Sequence, residues 1–441
     1  MTTTTETTIA IESTPPAILL PNAPPFDASL KLKLEAFCLQ HASLNRPIVL
    51  VSSGGTVADL EARTVRSLEN FSTGLRGALS VEQFLERGYA VVHLWRTGST
   101  SPFGRVVAQS LGLQGNHGIS AAALNRLLEH DHNDDDDDDD EEGMVATVKE
   151  DDPWLTDDIT TKKASTSSSS SPADKDGVSL QLHHRLSNDE HLQRASRQWR
   201  AAKSRLLTIP FRSVEEYLVR LKDCALILDD SKSLCMFYLA AAVSDFYVPD
   251  KVEHKIQSAA NPTELVITLK AVPKIMGLLR TEWAPDAFVV SFKLETDSAI
   301  LRRKSERAVT SYGVHMVVGN ILDTRYDVVH VLHGDNNTTT DEAVVVQDWT
   351  MKEVHKSPSS PFLEVELIEF IVQQHFTYIS QNFNTEHAAL KTHERLVQRK
   401  KELQKQVYWK NLQDGALQVG GTLMGMAITY VVSMAMQRRM K

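Results

Sequence analysis

The segment PIVLVSSGGT, residues 47–56, decides the fold of this 441-residue chain. Its apolar run from Ile48 to Val51 predicts a strand covered on both faces, as in a parallel sheet. Gly54 and Gly55 follow it, and two glycines let the backbone approach a phosphate closely, although a tight turn alone also explains them. Ligands of open α/β sheets bind at the carboxyl ends of strands, so this loop is the first candidate site.

The sequence on both sides of this strand alternates helix and strand. A helix is predicted at 30–44, a second at 73–86 ended by Gly88, and a strand at 89–95. This order favours a parallel sheet with right-handed crossovers. Further strands are predicted at 234–243, 265–269, 288–292, 315–318, 328–332 and 343–346, and further helices at 186–207, 214–228, 273–282 and 296–312. Pro273 suits a first helical turn, and Thr296 or Asp297 suits a cap.

The predicted fold class is therefore α/β, with a doubly wound, mostly parallel, Rossmann-like sheet in a single catalytic domain at 30–112 and 191–380. Residues 1–29 predict a disordered tail. The insertion 113–190 is acidic and Ser-rich, and it predicts disorder because it has too few apolar residues to offset chain entropy. Residues 381–441 predict a basic helix followed by an uncharged segment, 415–437.

Charge and cysteine usage limit the function classes. The net charge is −10, but residues 131–158 alone hold 15 acidic side chains against one lysine, so the remainder is close to neutral. It has no basic stripe typical of nucleic-acid binding. The three cysteines lack metal-ligand spacing and indicate a reducing compartment. The first 30 residues contain no Lys or Arg, which argues against secretory and mitochondrial signals and leads us to expect a cytoplasmic protein.

The segment 415–437 has two interpretations. It is long enough to span a bilayer, and Gly421 and Gly425 form a GxxxG helix-packing pattern. Polar residues such as Gln418 and Ser433 dilute its hydrophobicity, which favours an amphipathic helix that docks on protein. Anchoring to an intracellular membrane and docking both stay open.

A second candidate element, NFSTGLRG at 70–77, opens the helix predicted at 73–86. Helix N-termini carry unpaired amides and partial positive charge, which suits phosphate. Ser72 as a simple cap is the structural alternative, but Arg66 and Arg76 add positive charge and favour ligand contact. The chain has neither GxGxxG nor GxxxxGK[ST], so a standard dinucleotide fingerprint and a P-loop are both excluded.

Polar residues near other strand ends complete the candidate site. The segment FYLAAAVSDFYVP, residues 237–249, places small alanines and Asp245 at the end of a buried strand, where either a ligand or a closely packed helix fills the space. Lys255 and Lys293 are able to neutralise charge on a transferring phosphoryl group, although most lysines are simply solvated. Asn320 is suited to contact a base or ribose, or to form an Asx turn.

These blocks together resemble the phosphopantothenate–cysteine ligase family (phosphopantothenoylcysteine synthetase), in its eukaryotic monofunctional form. The resemblance covers residues 30–112 and 195–375, through SGGT, LEARTVRSLENFSTGLRG, YLAAAVSDFYVP, HKIQS, VPKI, WAPDAFVVSFKLETD and VVGNIL. It implies ligation of 4′-phosphopantothenate to cysteine in coenzyme A biosynthesis, through an acyl-nucleotide intermediate. It also implies Mg²⁺ and ATP, with CTP as the alternative that bacterial members use.

The resemblance also implies roles for individual residues. Nucleotide contacts fall on Gly54, Ser72, Gly74, Gly77, Phe292 and Asn320, and phosphopantothenate contacts on Asn70, Ala241, Ala242 and Asp245. Asn70 corresponds to the residue that handles the acyl intermediate, and Arg66 and Lys255 to basic residues that assist its formation. Lys255 lies in what resembles the loop that closes over the substrate.

The resemblance further implies a homodimer, because the alanine–aspartate segment belongs to the neighbouring subunit in the family. The chain departs from the family in Thr73, where a serine is usual, and in the insertion and the C-terminal region, which have no counterpart.

Two other function classes compete with the ligase. One is a nucleotide-binding module without catalysis, recruited to a membrane by its C-terminal tail. Asn70, Lys255 and Asp245 argue against it, because a degenerate binder has no use for all three. The other is an NAD(P)-dependent oxidoreductase, which the missing GxGxxG and the lack of a Tyr-x-x-x-Lys set disfavour.

Overall fold

The computed structural model describes residues 20, 23–63, 65–110, 189–256, 266–335 and 348–382. The predictions for most of the N-terminal tail, for almost all of the insertion 113–190, for a strand at 343–346 and for the segment 383–441 lie outside these residues. That includes both interpretations of 415–437. Among the described helices, none is both long and apolar enough to cross a membrane.

The described chain contains twelve strands and eight α-helices. The strands are β1 Ile48–Ser53, β2 Val57–Asp59, β3 Ser67–Glu69, β4 Ala90–Arg96, β5 Leu206–Phe211, β6 Cys235–Leu239, β7 Phe246–Tyr247, β8 Lys270–Ala271, β9 Phe288–Glu295, β10 Met316–Ile321, β11 Val328–Asp335 and β12 Asp348–His355. The helices are α1 Ala28–Ala42, α2 Leu75–Glu86, α3 Gly104–Ser110, α4 Glu190–Ala202, α5 Val214–Leu228, α6 Met276–Leu278, α7 Ser298–Tyr312 and α8 Glu364–Asn382. A π-helical turn, Leu279–Trp283, extends α6.

Eight strands form one sheet in the order β12-β11-β10-β9-β6-β1-β4-β5. The six strands from β10 to β5 are parallel, and β11 and β12 extend the sheet as antiparallel strands. Two short antiparallel ribbons, β2–β3 and β7–β8, lie outside this sheet and contact each other. The prediction of a mostly parallel α/β sheet is confirmed.

The core has two layers because side chains of a strand alternate between faces. On β1, Ile48 and Leu50 join the layer that contains α1, α5 and part of α7. Val49 and Val51 join the opposite layer, which is built from α2 and α8. Helices therefore cover both faces of the sheet, as a doubly wound fold requires.

Several predicted elements differ from the observed ones. The helix predicted at 186–207 ends at Ala202, and β5 follows it, paired only with β4 at the sheet edge, where Pro210 is tolerated. The strand predicted at 234–243 stops at Leu239, because the chain there leaves the sheet toward the candidate site. Residues 266–269 form no strand, and the helix predicted from Pro273 begins at Met276. Asp297 does cap α7, accepting hydrogen bonds from two backbone amides.

Candidate active site

The candidate site lies where the order of the strands reverses. From β1 the chain moves through β4 to β5, and then returns to β6 on the other side of β1 and continues to β9 and β10. The connections after β1 and β6 lead to strands on opposite sides of this pair, which puts the crevice of an open α/β sheet at the carboxyl ends of these two parallel strands. Ligands of open α/β sheets bind at this position.

Backbone hydrogen bonds join the two sequence signatures in this crevice. The backbone N of Ala242 donates to the carbonyl of Gly54 (2.8 Å), and the backbone N of Thr56 donates to the carbonyl of Ala242 (3.1 Å). The Thr56 hydroxyl accepts from the backbone N of Ser244 (2.8 Å). The glycine loop and the alanine–aspartate segment are thus one structural unit, although about 190 residues separate them in the sequence.

Close packing requires glycine at two positions around this loop. Gly54 has a φ of 91°, in the left-handed region, and a Cβ there would lie 2.4 Å from Cβ of Arg96. A Cβ at Gly77, in the first turn of α2, would lie 2.1 Å from Cβ of Ser53. The beginning of α2 therefore lies directly against the end of β1.

The N-terminus of α2 has no side-chain cap. Gly74, with a φ of 75°, occupies the cap position and makes no side-chain hydrogen bond to the helix. Ser72 is not the cap: its hydroxyl accepts from the backbone N of Gly74 at 3.3 Å. The interpretation of Ser72 as a simple cap is therefore wrong. The backbone N of Leu75 donates to the Thr73 hydroxyl (3.4 Å), and the beginning of α2 carries the partial positive charge that suits phosphate.

Asn70 connects the β2–β3 ribbon to the alanine–aspartate segment. Its Nδ2 atom donates to the carbonyl of Val243 at 3.0 Å, and its backbone N donates to the carbonyl of Thr56 at 3.2 Å. Asp245 follows that segment with its side chain 72 % exposed, in an ion pair with Lys274 at 3.1 Å. One chain alone therefore brings Asn70 to the segment of Ala241, Ala242 and Asp245, and these contacts do not support the expectation that this segment reaches the site from a neighbouring subunit.

Asn320 and Phe292 lie on the neighbouring strands β10 and β9. The Asn320 side chain is 5 % exposed, and its Nδ2 atom donates to the carbonyl of Lys293 at 3.1 Å rather than forming an Asx turn. Its Oδ1 atom is buried and has no hydrogen-bond partner among the described residues. Phe292 packs edge-on against Tyr238, with ring centroids 4.8 Å apart. A buried acceptor without a donor is costly, so this position suits a donor from a ligand.

Of two cations near the crevice, Lys293 belongs to the candidate site and Arg76 stabilises the fold. Burial, and then the positive charge of Lys274, lower the pKa of Lys293. Arg76 serves the fold instead, because it forms an ion pair with the buried Glu364 on α8 at 3.1 Å and donates to the carbonyl of Arg325. The sequence-based expectation that Arg76 adds charge to the ligand site is therefore not supported by its contacts.

Arg66 and the segment of Lys255 lie together beside the ribbons. The Arg66 side chain is 39 % exposed, and its Nη1 atom donates to the carboxylate of Glu61 at 2.7 Å and to the carbonyl of Ile256 at 3.1 Å. Ile256 is the residue after Lys255, whose side chain is exposed. Sequence reasoning missed Glu61, because neither glutamate of the block LEARTVRSLEN gives a sign in the sequence of partners that lie up to 195 positions away.

Sequence reasoning also missed a buried histidine below the glycine loop. The Nε2 atom of His93 lies 3.1 Å from the Ser53 hydroxyl, and burial lowers the pKa of His93 to about 3. The imidazole is therefore neutral near pH 7 and acts as a hydrogen-bonding group for the loop. Its place inside an apolar strand pattern is the only sequence signal for it.

All the predicted site residues lie at the carboxyl edge of the sheet or on the ribbons beside it. The described residues contain no group of three His, Cys, Asp or Glu side chains suited to hold a metal ion. A crevice at the switch point, a glycine loop and an uncapped helix N-terminus define a nucleotide-binding α/β protein. The buried side-chain amide of Asn320 and the side chain of Lys293 lie beside these elements and complete the site.

Comparison with known proteins places the chain within this class. Residues 224–358 match the model of the DNA/pantothenate metabolism flavoprotein C-terminal domain. Phosphopantothenate–cysteine ligase 1 of Arabidopsis thaliana is 36 % identical over 84 % of this chain and 94 % of its own length. Phosphopantothenate–cysteine ligase of Homo sapiens is 35 % identical over 71 % of this chain and 85 % of its own length.

A solved structure agrees with these relatives. A substituted Cab2 in complex with phosphopantothenate-cysteine is 29 % identical and superposes with a TM-score of 0.56, over 82 % of this chain and 98 % of that one. The chain belongs to the phosphopantothenate–cysteine ligase family, and it is a ligase of coenzyme A biosynthesis. The relatives support this catalytic function rather than the non-catalytic binding module.

Proposed function

We propose that this chain joins 4′-phosphopantothenate to cysteine in two steps, through an acyl-adenylate. The observation that carries the proposal is the position of Asn70. Its amide lies against the alanine–aspartate segment, and that segment is hydrogen-bonded to the glycine loop. A carboxylate bound at Asn70 and a nucleotide bound at Gly54 and α2 would therefore meet in one crevice, where orientation lowers the barrier.

The first step joins the carboxylate to the nucleotide. A carboxylate oxygen attacks the α-phosphorus of ATP, and pyrophosphate leaves with the electrons of the broken P–O bond. Charge develops on the phosphoryl oxygens, so donors must already be in place. The amides in the first turn of α2, such as that of Gly77, and the cations of Arg66 and Lys255 would supply them.

The second step forms the amide. The amine of cysteine attacks the acyl carbon and loses a proton to solvent, the bond to the phosphate oxygen breaks, and AMP leaves with that oxygen. Negative charge develops on the acyl oxygen as the amine adds. We propose that the Asn70 amide donates to that oxygen through its second N–H, because Nδ2 carries two hydrogens and one of them is bonded to the carbonyl of Val243.

We propose ATP as the nucleotide, with CTP as the alternative. Ser72 is placed at the phosphates, and Phe292 and Asn320 are placed at the base and ribose, where the unpartnered Oδ1 atom of Asn320 suits an amino or hydroxyl donor. Mg²⁺ accompanies the triphosphate, and it typically binds phosphate oxygens, waters and one or two carboxylates. Asp245 is an exposed carboxylate suited to that role, and the ion would neutralise charge on the phosphates.

We also propose a homodimer that assembles through the two ribbons. Apolar side chains are exposed there instead of being buried in the core. Phe71 is 87 % exposed. Further apolar side chains that lie in the ribbons, or close to them in the sequence, are exposed as well: Leu68, Phe246, Val252, Val266, Ile267 and Leu269. A second copy covering this surface would lie beside Asn70 and Asp245, which agrees with a shared active site. Sedimentation velocity tests this, and a monomer at micromolar concentration would contradict it.

The reaction is assigned to the cytoplasm, where buried thiols such as Cys38, Cys224 and Cys235 stay reduced. Contact of the segment 415–437 with a membrane stays a prediction that fractionation of a tagged full-length chain tests.

The experiment for the proposed function uses the full-length protein with Mg²⁺, 4′-phosphopantothenate and either ATP or CTP. Mass spectrometry should detect phosphopantothenoylcysteine only when cysteine is added, and more rapidly with ATP. Product with CTP alone would correct the nucleotide. No product with either nucleotide from folded protein would contradict the function.

A further inference from the structure

Glu61 is a carboxylate whose side chain is completely buried. It lies between the two segments that carry the proposed cations: the Arg66 loop, residues 62–66, and the segment of Lys255, residues 252–256. Its Oε2 atom accepts hydrogen bonds from the backbone N of Val65 (3.1 Å) and of Arg66 (2.8 Å). Its Oε1 atom accepts from Nη1 of Arg66 (2.7 Å) and from the backbone N of Ile256 (3.3 Å). An ionised carboxylate offers about four acceptor positions, so Glu61 uses all of them.

Among the described residues, backbone hydrogen bonds also hold these two segments in place. Neither belongs to the eight-stranded sheet. The backbone N of Leu60 donates to the carbonyl of Arg66 (3.0 Å), and the backbone N of Ala62 donates to the carbonyl of Val252 (2.8 Å). Glu61 therefore joins the Arg66 loop to the segment of Lys255, together with the Arg66 guanidinium, which donates to the carbonyl of Ile256 (3.1 Å).

The hydrogen bonds keep Glu61 ionised. Burial alone raises the pKa of the carboxyl group, but the backbone amides of Arg66, Val65 and Ile256 and the Arg66 guanidinium outweigh it and lower the pKa. Hydrogen bonds to an ionised acceptor are about twice as strong as neutral ones. The negative charge thus holds both the backbone and the guanidinium of Arg66.

We propose that Glu61 is a positioning residue, which holds Arg66 and the backbone beside Lys255 in the geometry that formation of the acyl-adenylate requires. This inference rests on the proposed function, because Arg66 and Lys255 act in its first step. Glu61 itself is buried and does not touch substrate. Its effect is indirect, since a displacement of about 1 Å in a catalytic group is able to cost about 100-fold in rate.

The test compares Glu61→Gln with a matched control, Asp59→Asn. Asp59 is also a nearly buried carboxylate and lies opposite Ser67, but both its oxygens accept from Nη1 of Arg212 (2.9 Å each), and among the described residues its carboxylate makes no hydrogen bond to the Arg66 loop. Pyrophosphate release that depends on 4′-phosphopantothenate should slow about 10- to 100-fold in Glu61→Gln, because this substitution removes a charge-assisted hydrogen bond. The KM for ATP should stay within about threefold, and Asp59→Asn should stay within about twofold in rate.

A double-mutant cycle with Arg66→Ala separates positioning from general destabilisation. If Glu61 acts through Arg66, the double variant should be slowed less than the product of the two single losses. Unchanged rates in Glu61→Gln, or fully multiplicative losses, would overturn the proposal. If Glu61→Gln does not fold, Glu61→Asp, which keeps the charge and shortens the reach, enters the same cycle.

Hydrogen exchange provides a readout that does not need activity. Peptides covering 62–66 and 252–256 should exchange faster in Glu61→Gln than in the wild-type chain, and at the wild-type rate in Asp59→Asn. Wild-type protein that releases no pyrophosphate would refute the proposed function, whereas unchanged exchange in Glu61→Gln would refute the positioning role.

Discussion

At the scale of single residues, the site depends on polar side chains that are held by backbone groups from distant parts of the chain. Asn70 donates to Val243, Thr56 accepts from Ser244, and Asn320 donates to Lys293. Sequence patterns identified Asn70 because it opens the block before the predicted helix 73–86, and Asn320 because it follows the strand predicted at 315–318. Glu61 was not identified, because its importance comes from partners that only the folded chain brings near.

Replacing Asn70 by Ala should leave the fold intact and slow product formation by about 100-fold or more, as loss of one donor to a developing oxyanion does. The lost hydrogen bond to Val243 should cost only about 1 kcal/mol in the free energy of unfolding. Product measured by mass spectrometry and urea unfolding check both values. Asn382→Ala, which also removes a bond from Nδ2 to a backbone carbonyl (2.8 Å), should keep full activity. Wild-type turnover in Asn70→Ala would show that its assigned role is wrong.

Replacing Asn320 by Ala should raise the KM for ATP by about tenfold with little change in kcat, because a nucleotide hydrogen bond made in both ground and transition states is lost. The stability cost should be small, since the substitution also removes a buried acceptor that has no partner among the described residues. Steady-state kinetics at varied ATP and varied 4′-phosphopantothenate check this. A change in the KM for phosphopantothenate alone would move Asn320 to the other substrate.

At the scale of elements, the strand β1, the glycine loop and helix α2 form the proposed nucleotide-binding unit. The unbroken apolar run of β1 and the amphipathic period of α2 made both predictable. The edge strand β5 was missed, because Leu206 and Leu207 continue the apolar period of the preceding helix and Pro210 argues against a strand. The segment Ala240–Val243 was predicted as strand because its residues are apolar, but it leaves the sheet to pair with the glycine loop.

Replacing Gly77 by Ala should push α2 away from β1, because the new Cβ would lie 2.1 Å from Cβ of Ser53, within a packed layer that cannot move easily. Overpacking of this kind costs about 1–3 kcal/mol, and the KM for ATP should rise as the amides of α2 shift. Gly277→Ala is the control, since a Cβ at that helical position meets nothing within 4 Å and alanine should be neutral or slightly stabilising. Thermal unfolding and ATP titration of both variants check this, and equal behaviour of the two would contradict the packing argument.

At the scale of the whole molecule, the doubly wound sheet and its switch point could be predicted from the order of strand and helix patterns. The antiparallel extension by β11 and β12 and the long helix α8 could not be predicted in this way. The apolar pattern of a strand does not show whether its neighbour in the sheet is parallel or antiparallel. Helix α8 completes one core layer and carries His375. This histidine lies within hydrogen-bond distance of the Tyr89 hydroxyl (2.8 Å) and of the Ser233 carbonyl (3.0 Å).

Buried histidines should make the whole fold sensitive to acid. Burial lowers the pKa of His375 to about 4, below the value of 6.5 expected in the unfolded chain. Between these values the unfolded chain binds the additional proton, so the stabilisation is complete above pH 6.5 and is lost as the pH falls toward 4. His375→Gln should therefore reduce the slope of the free energy of unfolding against pH by about 1.4 kcal/mol per pH unit between pH 6 and pH 5. Urea unfolding at pH 7, 6 and 5 measures the slope, and identical slopes in the two proteins would contradict this account.

The central claim is that the carboxylate of 4′-phosphopantothenate attacks the α-phosphorus of the nucleotide. The most direct measurement uses 4′-phosphopantothenate labelled with ¹⁸O in its carboxylate, together with ATP, Mg²⁺, cysteine and the full-length protein. The account predicts that AMP carries one ¹⁸O atom and that pyrophosphate carries none, because the oxygen that bridges carbon and phosphorus leaves with AMP. Formation of ADP with ¹⁸O in inorganic phosphate, or of unlabelled AMP, would contradict the acyl-adenylate.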